Sequence, residues 1–501
     1  MRHIILINAH NNLDFLLEQL LLYDKDPDFY IYVHWDRKTV TQDIMRAIYS
    51  HKSVKKVCSQ YSISWGGRNL LESMILICSY ALQDLENEGY PECFIHTISG
   101  SNILIRSIDE LKGFFNRHKN MGFMEYFRLP SSNWQAGGLK RLTLHHPLDK
   151  LNIHDAKQAK IYNEYIKRQE HSGQFRPLPP FTVYGGGCWW SITRDMAIYW
   201  VKHYNEGDLF DRLKDTFGPE EIHPQTILLN SPFRQYICNS SLNYICWDYE
   251  TRGTPAILEN FDLPYMIRSN NIWARKIAPG TSDRIKLFYE WFSTLIPFRF
   301  NSRLNSNDFL QQITEYICKH YQGCPLLGVM DGLMGIAIYL FCYGKVFKQE
   351  KYTQTATTIL NDAIRRREEI TTSDFNNGTI GFAYSLAWLL HHGFIMSTPI
   401  YEELLSVFDK NTAQILNDKE KQWHFQTPFG NNYFCIIPYI KLRNLHIEGY
   451  YPKISNENMK KLLKPHISNT FKQSLGMSGI AGIGYCELRA LYKEQVPSFL
   501  D

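Results

Sequence analysis

Three strand-like runs, HIILINA at 3–9, FYIYVHWD at 29–36 and ECFIHTIS at 92–99, constrain this chain most, because the first is a continuous apolar run and the others are rich in large apolar side chains. Strands of that kind are buried on both sides, as in a parallel sheet covered by helices. Between them lie helical patterns: LDFLLEQLLLYD at 13–24, a stretch near 41–50, and Asn69 to Glu86, with a short strand at 54–58. The alternation predicts an α/β domain of Rossmann type with a mainly parallel sheet. In such sheets ligands bind beyond the carboxyl ends of the strands, which singles out HWDRK after the second run and GSN after the third.

The 501 residues are 44% hydrophobic, enough for two cores, since single cores stop growing near ~250–300 residues. With 54 basic and 50 acidic residues the net charge is +4, too weak a field for a nucleic-acid partner. Eleven cysteines without a C-x-x-C read as reduced thiols, not as a zinc knuckle or a disulfide framework. The start, MRHIILINAHNN, has the pattern of a first strand and lacks that of a secretory signal, and Cys324 to Gly344 suits a buried helix better than a membrane span. The expected location is cytoplasmic. Membrane association is left open but no span indicates it.

From 130 to 180 the chain reads as an irregular, Pro- and Gly-containing insertion. After about 290 the texture changes. GLMGIAIYLFCY at 332–343, NGTIGFAYSLAWLL at 377–390 and GMSGIAGIGYCELRAL at 476–491 are related starts, each of small residues leading into an apolar helix. They predict an all-α domain of stacked helical hairpins whose glycines let helix starts approach one centre. The expected division is 1–290 and 305–501.

Glu220 and Glu221 follow Gly218–Pro219 and precede IHPQTILLN, at a helix beginning, where the macrodipole keeps a carboxylate ionised. They are either helix N-terminal charges or a base. Arg268, Arg275 and Lys276 are three cations within nine positions, suited to solvent or to neutralising a diphosphate. Trp247 and Tyr249 alternate after an apolar strand, as a core pair or as two rings stacking on a sugar. No acidic pair stands after the central strand, where Asn102 occupies SGSN, and the histidines lack the spacing of H-E-x-x-H.

Taken together, HIILINAHNN, YVHWDRK, SWGGRNLLES, TISGSN, YGGGCWWSITRD, PEEIHPQT, WDY and IWARK resemble, in order and spacing, the core-2/I-branching glycosyltransferases, which include β-1,6-N-acetylglucosaminyltransferases and peptide O-xylosyltransferases. The resemblance covers residues 1–280 and implies a GT-A-like fold. It also implies an inverting, metal-independent transfer from a UDP-sugar to a hydroxyl of a glycan or peptide, with N-acetylglucosamine the preferred donor sugar and xylose next. On this reading Glu221 is the catalytic base. Lys276, Arg252, His34 and Asp36 bind the donor, and Trp247 and Tyr249 bind the acceptor. No metal or other cofactor is expected. The family's S-G-x-D-x-P stands here as Ser99-Gly100-Ser101-Asn102-Ile103-Leu104, without its aspartate and proline.

The C-terminal part resembles half of the α/α toroid of lanthionine synthetase cyclases (LanC-like), through GLMGIA, NGTIG and SGIAGIG, but lacks that family's zinc motifs. Two other readings stand beside a transferase. One is a non-catalytic carbohydrate- or peptide-binding protein. The other is a peptide O-glycosyltransferase whose helical domain presents the peptide.

Overall fold

The computed structural model describes residues 1–417 and 471–499, apart from 90, 207–208, 210, 212, 248–253, 300–302 and 373, together with 442–443. Two compact units make up the chain: Met1–Tyr244 with Asn271–Arg275, and Ile245–Asn270 with Lys276–Asp501.

The first unit opens with β1 (Arg2–Ala9), α1 (Leu13–Tyr23), β2 (Phe29–Trp35), α2 (Gln42–Tyr49), β3 (Val54–Cys58), α3 (Asn69–Asn87) and β4 (Cys93–Ser99). It continues through β5 (Ile103–Leu104), α4 (Ile108–Arg117), β6 (Gly122–Met124), β7 (Phe127–Arg128), α5 (Lys140–Thr143), α6 (Ala156–Ser172), β8 (Tyr184–Gly185) and β9 (Trp190–Thr193). Then come α7 (Arg194–Glu206), α8 (His223–Leu229), β10 (Ile237–Cys238) and β11 (Asn243–Ile245), whose last residue is assigned to the second unit. The main sheet has the order β10-β6-β9-β4-β1-β2-β3. It is mixed but mostly parallel. β1 pairs in parallel with β2 and β4, β2 with β3, and β10 with β6, while β9 runs antiparallel to β4 and β6.

The continuous apolar runs explain this order. Every residue of β2 and seven of the eight in β1 are buried, so both strands need cover on two faces. α3 covers one face with Leu71, Met74, Ile77, Cys78, Ala81 and Leu85, which pack against Ile4, Leu6, Tyr32 and Ile95. Inside the sheet His3, His96 and Ser191 form a polar chain across β1, β4 and β9, with His3 Nδ1 3.1 Å from His96 Nε2 and His96 Nδ1 2.9 Å from Ser191 Oγ.

The stretch 130–180, expected as irregular, contains a 17-residue helix, α6. Its apolar content is too low for periodicity to reveal it. The local signals were present: Asp155 caps the start by accepting from the Gln158 N–H, and Gly173, left-handed at φ 65°, ends it.

In the second unit, α9 (Leu263–Arg268), α10 (Asp283–Thr294), α11 (Ser306–His320), α12 (Leu333–Phe347), α13 (Glu350–Arg365), α14 (Thr379–His391), α15 (Pro399–Asn417) and α16 (Ile480–Leu491) make a helical body. The short strand β12 (Trp273–Arg275), by contrast, belongs to the first unit and pairs with β5. α12 and α14 are buried all round, from Leu333 to Gly344 and from Ile380 to Leu389, whereas α13 buries one stripe. The three glycine-containing turns before α12, α14 and α16 meet around Asp331. Its carboxylate accepts from Ser478 Oγ and from Asn377 Nδ2 at 3.1 Å, and its N–H donates to Asn377 Oδ1 at 3.2 Å. A Cβ on Gly328 would lie 2.2 Å from Asn377 Cα, so only glycine allows that approach. Among the described residues no helix is long and apolar enough to cross a membrane.

Candidate active site

Glu221 ends a single 3-10 turn, Pro219–Glu221, that leads into α8. Gly218 starts this turn at φ 61°, a left-handed conformation that glycine adopts without strain, and its N–H donates to Gly66 O at 2.8 Å. The Glu221 carbonyl accepts from the Gly186 N–H at 2.9 Å. The SWGG and YGGG segments therefore hold the glutamate from two sides. A Cβ on Gly186 would fall 1.9 Å from Glu125 O, so the glycine run lets a third strand of chain, bearing Glu125, pass against the site.

The Glu221 side chain is half-buried, and its Oε2 lies 2.6 Å from Arg141 Nη1. Arg141 is itself fixed by aromatic faces, its guanidinium 3.7 Å from the Trp134 ring centre and 4.9 Å from that of Phe217. Two further carboxyls stand close by. Burial raises the pKa of Glu125 and the Glu221 charge raises it further, while a bond from the Gly187 N–H acts the other way. Glu220 is 6% exposed, and burial followed by the Glu221 charge raises its pKa as well. Of the three, Glu221 alone has an arginine bonded to it among the described residues.

Arg275, at the end of β12, lies over the Trp189 ring at 4.6 Å. Burial lowers its pKa, and the charges of Cys188 and Glu221 oppose that shift. The Cys188 thiol is pushed up by burial and then by Glu221 and Glu220. The two tryptophans of GCWW thus divide their work. Trp189 supports the arginine, and Trp190, edge-on to Trp200 at 5.1 Å, fills the core.

The residues expected to bind the donor are distributed as follows. His34, fully buried at the end of β2, accepts the Tyr61 N–H at Nε2, 3.1 Å away, and burial lowers its pKa to about 4. Asp36 accepts from the Lys38 and Ile63 N–H groups at 2.9 and 3.3 Å and has Lys38 Nζ at 3.4 Å. Both side chains order the loops at the carboxyl ends of β2 and β3. Asn102, where the resembling family has aspartate, is 3% exposed. Its Oδ1 accepts from the Ser99 N–H and hydroxyl at 2.9 and 2.6 Å, and its Nδ2 donates to Asn243 Oδ1 at 2.7 Å. A carboxylate could not make that last bond, so the amide ties the end of β4 to β11.

Residues 3–266 match the profile of the Core-2/I-Branching enzyme family. The chain belongs to this family. Among curated proteins it is similar to Xylosyltransferase 1 of Homo sapiens, 25% identical over 243 residues, which are 45% of this chain and 22% of that protein. Xylosyltransferase 1 of Canis lupus familiaris is 22% identical over 233 residues, with the same shares, and that of Rattus norvegicus is 22% identical over 232, covering 25% of the relative. The chain thus spans about a quarter or less of the length of these relatives.

Within the Core-2/I-Branching frame, Glu221, His34, Asp36 and Asn102 all lie in the matched region and in the first unit. Trp247 and Lys276 belong to the second unit, and both are exposed, Trp247 at 52%. Among the described residues Lys276 bonds through its backbone, its C=O accepting from the Leu258 N–H at 2.9 Å and its N–H donating to Ala256 O at 3.4 Å. Arg252 and Tyr249 lie outside the described residues. The basic run 268–276 is divided between the units: Arg275 joins the first, and Arg268, acted on by the Asp331 charge, the second. Sequence reasoning missed Glu125 and Arg141. No motif marks them, and only the aromatic flanks Trp134 and Phe217 hint at a fixed arginine. Among the described residues no group of three His, Cys, Asp or Glu side chains is placed to hold a metal ion.

Proposed function

We propose that this Core-2/I-Branching enzyme is an inverting glycosyltransferase that moves a sugar from a UDP-sugar to a hydroxyl of a glycan or peptide, with Glu221 as the base. The observation that carries the reading is the half-buried Glu221 carboxylate held at one oxygen by Arg141. Its Oε1 has no hydrogen-bond partner among the described residues and suits an acceptor hydroxyl. The acceptor oxygen attacks the anomeric carbon from the face opposite UDP while its proton passes to Glu221. The bond from that carbon to the diphosphate breaks, and UDP leaves with the electron pair. Lys276 and Arg252 are proposed to stabilise the charge on the leaving diphosphate, with Arg275 as a further cation, in place of a metal.

N-acetylglucosamine remains the preferred donor sugar, and the name of the similar proteins, Xylosyltransferase 1, supports xylose as the rival. The GT-A-like fold, the LanC-like character of the helical unit and a cytoplasmic location belong to the same proposal, and presentation of a peptide by the helical unit is an alternative to it. The test is transfer and UDP release with UDP-N-acetylglucosamine and UDP-xylose in EDTA and then with Mn²⁺. Glu221→Gln should lower turnover by ~10²–10⁴-fold and leave UDP binding intact. Full activity of that variant would remove Glu221 as the base. Turnover that needs Mn²⁺ would remove metal independence.

A further inference from the structure

Surface helices usually turn an apolar stripe inward and a polar face outward. α6 has no fully buried stripe. None of its 17 residues is buried. Its inward attachments are largely polar: Tyr162 OH lies 2.7 Å from His146 Nδ1, Gln169 bonds both the N–H and the C=O of His145, and Glu170 pairs with Lys140 at 2.6 Å. Ala159, Tyr162 and Ile166 are half-buried on that side.

Ile161 and Tyr165, one helical turn apart on the flank between that side and the outward one, are 55% and 39% exposed. Lys157, Lys160, Lys167 and Arg168 are exposed on and beside it. Glu164, 4.0 Å from Arg168, is the acidic residue among them, which leaves a net +3 from four cations and one anion. Just past the helix, Phe175 and Leu178 are 50% and 46% exposed, while Arg176 between them turns back to bond Leu144 O and Lys214 O. Folding alone offers no reason to expose four large apolar side chains within one basic segment.

We propose that the outer face of α6, with Phe175 and Leu178, docks on an anionic membrane surface. Basic side chains interleaved with Ile, Tyr, Phe and Leu on a helix lying at the surface match the headgroup and acyl boundary of a bilayer. The charge is complementary to acidic lipid, and a net +3 at ~1 kcal/mol per charge sets a preference on the order of 100-fold over a neutral bilayer.

The test is flotation of the full chain with vesicles of phosphatidylcholine alone or with ~30% phosphatidylglycerol, at low and high salt. Binding should favour the anionic vesicles by at least ~10-fold and weaken with salt. It should be lost in the combined Lys157→Glu, Lys160→Glu, Lys167→Glu, Arg168→Glu variant and reduced in Ile161→Ser, Phe175→Ser. These positions are exposed, and an unchanged melting temperature separates lost docking from misfolding. Equal binding to both vesicles, or flotation of the charge-reversed variant, would overturn the proposal. Capture of polyglutamate through the same residues without vesicle binding would assign the surface to an acidic polypeptide instead. Donor binding does not enter either readout, so failure here leaves the transferase reading standing.

Discussion

Arg141 Nη1 lies 2.6 Å from Glu221 Oε2 while the same guanidinium stacks on Trp134 at 3.7 Å, so a single side chain joins that carboxylate to the aromatic wall beside it. A planar guanidinium can satisfy both contacts at once and an ammonium cannot. Arg141→Lys should therefore leave the Glu221 carboxylate poorly oriented. The expected result is a fall in kcat of roughly 10–100-fold with little change in donor KM, since small misplacements of a reacting group have effects of that size. Steady-state kinetics at saturating donor would decide, and a change confined to KM would count against a positioning role.

Acid should unfold the first unit well before its carboxylates are protonated. Burial lowers His3 and His223 to about 3 and His34 and His146 to about 4, and holds His96 well below its ordinary value. In the unfolded chain each titrates near 6.5. Below that pH the unfolded state binds more protons than the folded one, so stability falls as pH falls, down to about 4, where the folded histidines themselves begin to protonate. Five such groups together lose roughly 6 kcal/mol between pH 7 and 5.5. That is comparable to the whole stability of a domain, so circular dichroism should show a cooperative transition between about pH 5 and 6. His96→Asn should shift it to lower pH if it folds, and a melting temperature that is flat from pH 7 to 5 would refute the account.

Lys472 is 5% exposed, and its Nζ donates to Phe292 O, Ser293 O and Leu295 O at 3.0, 3.1 and 2.9 Å, which closes the carboxyl end of α10. A cation at that position adds donors to the last carbonyls of the helix, of which Phe292 O also accepts from the Leu295 N–H at 3.2 Å, and interacts favourably with the helix dipole. Lys472→Met keeps the side-chain volume and should destabilise the helical unit by roughly 2–4 kcal/mol, read as a lower urea midpoint.

Asn102→Asp restores the aspartate of the resembling family and removes the donor to Asn243 Oδ1. Turning the Asn243 amide round would recover one bond to the new carboxylate and break its own bond to Ser241 O. The variant should lose about 1–3 kcal/mol, the cost of a buried polar group left short of a partner. A gain in thermal stability would show that the amide pair is not what orders this end of β4.

Periodicity sufficed for the sheet-forming half because its strands are apolar on both faces and its helices on one. The elements expected from β1 to β4 match the observed bounds to within a residue or two. The resemblance to the Core-2/I-Branching family, not spacing, pointed to Glu221 over Glu220, while His34 and Asp36 order loops at the strand ends. α6 escaped notice because a helix attached by polar side chains leaves no apolar period.

What the sequence alone determined was local or repetitive: the alternation of buried strands and helices, the three glycine starts, and the order of motifs that marks the Core-2/I-Branching family. Only the tertiary structure brought Arg141 and Glu125, 80 and 96 positions before Glu221, to its carboxylate, split the basic run 268–276 between two units, and joined Asp331, Asn377 and Ser478 in one node. The reason is physical. Secondary structure follows from the period of apolar side chains along a few turns. Ion pairs and buried polar nodes depend on which distant segments the packed core brings within about 3 Å, and no local pattern encodes that distance.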